Sequence, residues 1–142
     1  VGYHLLEPEV PGELGPGTVM DSTVHPPVVS ALHYEIIDWL GDDLIESFPC
    51  YLASPRLARA IEESGLTGCH FASAQVAMSP QAQEPFSKAE VPRFRWLVIA
   101  GQIGQDDFAV TGQGQITVSA PALRLLRTFT LDYCGITDAP AA

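Results

Sequence analysis

The first 55 residues of this chain contain neither lysine nor arginine, although Glu7, Glu9, Glu13, Asp21, Glu35, Asp38, Asp42, Asp43 and Glu46 all lie there. From Arg56 onward seven basic residues nearly balance eight acidic ones, so the net charge of -10 belongs almost entirely to the first third. A surface of that sign repels nucleic acid and anionic membrane, and it speeds encounter with a basic protein. It serves equally as a solubility device.

Other absences narrow the chemistry. The cysteines Cys50, Cys69 and Cys134 are far apart and form no C-x-x-C pair, which argues against a zinc site and a full disulfide framework. Reduced, buried thiols are expected, and with them a cytoplasmic location. No apolar run approaches the roughly 20 residues that span a bilayer, and the N-terminal stretch lacks the basic and apolar regions of a signal peptide. No H-E-x-x-H, D-x-D-x-D-G or G-x-S-x-G arrangement occurs. The glycine-containing run Gly101 to Asp107 reads as a plain turn, since a strand follows it and two carboxylates would face any phosphate. No cofactor and no catalytic residue are assigned.

What is present is a globular composition, 46% apolar and 17% charged, over a length that suits one domain. Pro8, Pro11, Gly12, Gly15, Pro16, Gly17, Pro26 and Pro27 exclude a long helix near the start. Residues 1–30 are therefore expected as an irregular arm, with one short strand at Tyr3 to Leu6 and with Val10, Leu14, Val19, Met20 and Val24 anchoring it to the core. Residues 31–142 should form an α+β core, a mainly antiparallel sheet packed on two principal helices.

The clearest local signal is Cys50 to Gly65. An apolar run ends at Ala53, Ser54 can cap the amides of a helical first turn, and Pro55 loses no hydrogen bond at the first helical position. Leu57, Ala60, Ile61 and Ser64 then share one face, and Gly65 ends the helix. Val118-Ser119-Ala120-Pro121 echoes this start and predicts a second helix over 120–129. Further strands are expected near 32–37, 68–77, 93–100, 107–111 and 115–118, the last three as a meander. Residues 79–92 read as a loop, and Leu131 to Ile136 as a last extended segment.

Asp42 is positioned to cap one or two helical turns through Glu46, with Asp43 also at the positive end. Around it, Tyr34, Glu35, Asp38, Trp39, Asp42, Asp43 and Glu46 bring two aromatics among five carboxylates, a composition suited to binding a basic protein. The same residues also suit a solvated acidic face with both aromatics in the core. A metal-dependent or accessory enzyme using His33 and the nearby carboxylates is the alternative.

The apolar strand ending at Ala53-Ser54, the helix with Leu57 and Ile61, Gly65-Leu66, Phe71, Trp96-Leu97 and Val118-Ser119 with Leu123 together resemble bacterial immunity proteins of polymorphic toxin systems. The resemblance covers roughly residues 50–129. It implies a cytoplasmic α+β protein that neutralises a cognate toxin by direct binding, with no catalytic residues to carry over. It does not reach the acidic first third.

Overall fold

The computed structural model describes residues 2–79 and 91–139. In chain order these form β1 (Tyr3–Glu7), β2 (Gly12–Leu14), β3 (Val19–Asp21), β4 (Val28–Ala31), β5 (His33–Ile36), β6 (Leu44–Ser47), β7 (Cys50–Ala53) and α1 (Pro55–Ser64). There follow β8 (Cys69–Ala72), β9 (Gln75–Met78), β10 (Arg95–Ile99), β11 (Phe108–Val110), β12 (Ile116–Ser119), α2 (Ala120–Leu126) and β13 (Gly135–Asp138). The fold is α+β, mostly strands, with two short helices among the described residues.

Helix α1 begins and ends by the local chemistry of its sequence. Ser54 stays extended and its hydroxyl accepts from the Leu57 amide at 3.3 Å, while Gly65 closes the helix at φ 78°, where a Cβ would be strained. Leu57, Ala58 and Ile61 are buried. Helix α2 reuses the device, its cap Ser119 accepting from Ala122 N at 3.2 Å.

The echo between the two helices extends well beyond their caps. Each follows an antiparallel hairpin, β6–β7 before α1 and β11–β12 before α2. In each unit an aspartate just ahead of the hairpin is locked to the cap serine. Ser54 Oγ donates to Asp43 Oδ1 at 2.5 Å and Ser119 Oγ to Asp107 Oδ1 at 2.6 Å. Their backbone amides donate to the carbonyls of the same aspartates, at 2.8 and 2.9 Å.

The sheets built on these hairpins share one plan as well. Their orders are β6-β7-β10-β8 and β11-β12-β1-β13, antiparallel throughout, with the strand after each helix at the far edge. Leu6, Leu44, Leu57, Leu97, Phe108, Ile116 and Leu126 pack together as the core between the two units.

The chain's third sheet, β2-β5-β9, mixes an antiparallel and a parallel pair. Its Tyr34 and Ile36 meet Ile45, Leu52 and Phe94 in a second core. Beyond that sheet the same two chain segments continue as the β3–β4 ribbon. Residues 15–18 bulge between β2 and β3, and His33 holds the bulge: Gly15 N and Thr18 Oγ1 donate to its carbonyl, and Gly17 N donates to its ring Nδ1.

Several expectations are corrected by this architecture. Residues 1–30 are not an irregular arm: they contribute four strands, and β1 is an inner strand of its sheet. Prolines and glycines fall between those strands, limiting length without preventing pairing. Of the expected anchors, Leu14 joins the second core, whereas Val10, Val19, Met20 and Val24 are exposed. The helical turns expected at 42–46 are strand β6, because Leu44 and Ile45 are both fully buried, on opposite faces, in the two different cores. Residues 68–78 are two strands that enter different sheets. Of the expected meander, β11 and β12 pair as a hairpin, but β10 does not join them and pairs instead with β7 and β8. Helix α2 stops at Leu126, and the last strand begins at Gly135 rather than Leu131. Of the loop expected at 79–92, residues 80–90 lie outside the described residues.

Candidate protein-binding site

The acidic residues of the first third divide into two sets, one turned inward and one outward. Glu9, Asp42 and Asp43 are buried and act as internal ties. Glu9 accepts from Leu40 N at 2.6 Å and Asp42 N at 3.1 Å. Asp42 accepts from Asp132 N and Tyr133 N at 2.9 and 2.8 Å, joining residues 90 positions apart in sequence. Asp43 accepts from Ser54 Oγ, from Arg56 Nε and Nη2 at 2.9 and 2.7 Å, and from Thr130 N at 2.8 Å.

Their surroundings titrate them differently. Burial raises the Glu9 and Asp42 carboxyls above the ordinary range, and two backbone amides on each offset only part of this. Burial also acts on Asp43, but the Arg56 guanidinium, Ser54 hydroxyl and Thr130 amide outweigh it and hold that carboxyl low. Glu46, half-buried in β6, is pushed up to about 7 by burial first and then by nearby Glu7.

Asp42 and Asp43 are thus not part of an exposed acidic surface. Tyr34 is also internal: its ring is fully buried and its hydroxyl donates to the Glu46 carbonyl at 2.9 Å. Trp39 is half-buried, edge-on to Phe94 with centroids 5.8 Å apart, and its Nε1 donates to the Asp42 carbonyl. Of the seven residues expected to bind a partner, Asp38 is exposed and Glu35 and Glu46 are half-exposed.

The residue that sequence reading missed is Glu13. In the antiparallel β2–β5 pair it stands directly opposite Glu35, on the sheet face turned away from Leu14, Tyr34 and the second core. Like charges in facing positions on neighbouring strands are destabilising. Among the described residues, neither Glu13 nor Asp38 has a lysine or arginine within ion-pair distance, and Glu35 meets only His33 Nε2, at 3.6 Å. Glu13-Leu14 alternates polar and apolar, but over a strand of three residues that signal becomes readable only through the pairing with β5.

His33 is buried, with Nδ1 occupied as the acceptor of the Gly17 amide, and among the described residues no three His, Cys, Asp or Glu side chains are grouped to hold a metal ion. Burial pushes the Cys50 thiol up to about 12, and burial first also raises Cys69 and Cys134 to about 11, so all three remain protonated and poorly nucleophilic at neutral pH. An open hollow of about 520 Å³, its lining about equally polar and apolar, lies among Ile36, Val76, Met78, Val91 and Phe94, with Arg93 its charged lining residue among the described ones. No described helix is long and apolar enough to cross a membrane.

No protein-family model, curated protein or solved structure matches this chain.

Proposed function

We propose that this chain is a protein-binding inhibitor that neutralises a basic toxin by covering it, as an immunity protein does. The supporting observation is the facing pair Glu13 and Glu35 on the outward side of the β2-β5-β9 sheet. A fold loses stability by holding two carboxylates across one strand pair without a strong cation, and a cationic partner recovers it. Asp38, exposed just beyond β5, adds to the same acidic end of the molecule. The resemblance over residues 50–129 supports the inhibitory role.

The test immobilises the chain and exposes it to a lysate of its native host at low and then high salt. The proposal expects a basic protein that is retained at low salt, released at high salt, and inactivated in its toxic activity by the free chain. A parallel bait carrying Glu13→Gln, Glu35→Gln and Asp38→Asn should retain much less of it. Equal retention by both baits overturns the acidic-surface reading.

A further inference from the structure

The β3–β4 ribbon is an anomaly in a small globular protein. Every residue from Val19 to His25 is exposed, and the exposed residues include Val19 at 58%, Met20 at 40%, Val24 at 46% and Val28 at 58%. The register places Met20 opposite Val29, while neighbouring Val28 points to the other face, so both faces of the ribbon offer apolar side chains to solvent. Several large apolar side chains exposed together on one short ribbon are a feature of interaction surfaces. Natural edge strands are commonly protected by lysine, and the ribbon has none.

The ribbon is also braced rather than loose. Val29 packs into the second core, the His25 ring lies 6.1 Å from that of Phe48, and the His33-centred bulge fixes the junction with β2 and β5. At the tip, Asp21 Oδ1 accepts from both the amide and the hydroxyl of Thr23, a closed turn that limits the ordering needed on binding.

We propose that this ribbon is a docking element, whose exposed apolar side chains Val19, Met20, Val24 and Val28 pack into a cleft of a basic protein while Glu13 and Glu35 beyond its root and Asp21 at its tip meet that protein's cations. The inference rests on the acidic-binding reading above and adds to it the element that makes the contact and the shape it requires. Charge complementarity selects the occupant. A second copy of this chain would bring the same carboxylates against each other, and nucleic acid or anionic membrane would be repelled by them. A protein presenting an apolar recess flanked by lysine or arginine satisfies both the ribbon's apolar side chains and the carboxylates at its two ends.

The test uses, as probe, the basic protein recovered by the salt-dependent capture. One variant carries Val19→Thr, Met20→Thr and Val28→Thr, all at exposed positions, and its thermal midpoint is compared with that of the parent. Hydrogen exchange is measured on the unmodified chain with and without the probe, so the contact is read even if the variant is destabilised. The proposal expects the variant to bind about tenfold more weakly or worse, with the amides of residues 19–31 protected in the complex. Unchanged affinity with no protection there overturns the docking element while leaving acidic binding intact. Loss of salt-sensitive capture by the parent chain overturns both. Concentration-dependent protection of 19–31 in the chain alone, with formation of a dimer, overturns the proposal in favour of a second copy.

Discussion

Asp43→Ala tests how far the fold depends on its inward-facing carboxylates. The side chain is buried and ties the start of β6 to the α1 cap, to Arg56 and to the Thr130 amide. Removing it strips a charged acceptor from the half-buried Thr130 N–H and from the Ser54 hydroxyl, whereas Arg56, largely exposed, returns to water with little loss. The expected cost is about 3 kcal/mol. In a chain of this size that lowers the thermal midpoint by roughly 10 °C. Asp43→Asn, which retains one acceptor and the shape, should cost about half as much. Exposed Asp38→Ala should cost no more than about 0.5 kcal/mol. Urea unfolding followed by tryptophan fluorescence is the assay, with Trp39 well placed because its Nε1 bonds the adjacent Asp42 carbonyl.

The pH dependence carries a sign. Because the folded Asp43 carboxyl is held low, its contribution is present above the unfolded carboxylate value near about 4 and is lost as pH falls through the lower folded value. The Ala penalty should therefore be largest at neutral pH and shrink in strong acid. A penalty below about 0.5 kcal/mol at pH 7, or one equal to that of Asp38→Ala, would refute the tie.

Glu46 titrates in the opposite sense. Its folded value, about 7 against an ordinary 4.5, makes stability highest below the lower value and progressively lost as pH rises through the upper one. The thermal midpoint should rise between pH 7.5 and 5, and Glu46→Gln should flatten that rise; an equal slope in the variant would assign it to other groups. Tyr51→Phe removes a buried hydroxyl that donates to Gly114 O at 2.8 Å and accepts from Ile116 N at 3.0 Å, and should cost about 2 kcal/mol in urea unfolding. Gly12→Ala would drive a Cβ into the Glu35 carbonyl; faster hydrogen exchange across β2 and β5 is the expected result, and an unchanged pattern would contradict the close approach of the two strands.

Helix α1 was legible because its signals are local: a serine cap, a proline in the first turn and a glycine at the end act within one segment. The repeat was half-legible for the same reason. Ser54 and Ser119 stand out in the sequence, but their locks to Asp43 and Asp107 reach back 11 and 12 positions across a hairpin. The acidic segment misled for a related cause. Asp42-Asp43 ahead of an apolar pair matches a helix cap, yet the amides that hold these carboxylates belong to residues 130, 132 and 133, a long-range partnership that no periodicity announces. Glu13 was hidden differently. A strand of three residues between prolines and glycines gives too short an alternation to be read alone, and only pairing with β5 shows which way it faces.

The acidic face of the β2-β5-β9 sheet as a landing surface for a basic protein is tested most directly by association rates with the captured partner at about 20 mM and about 300 mM salt, where the screening length is about 20 Å and about 6 Å. The chain carrying Glu13→Gln and Glu35→Gln should associate about tenfold more slowly than the parent at low salt, and the two should converge at high salt. Equal rates at low salt would contradict the assignment of that face to partner encounter.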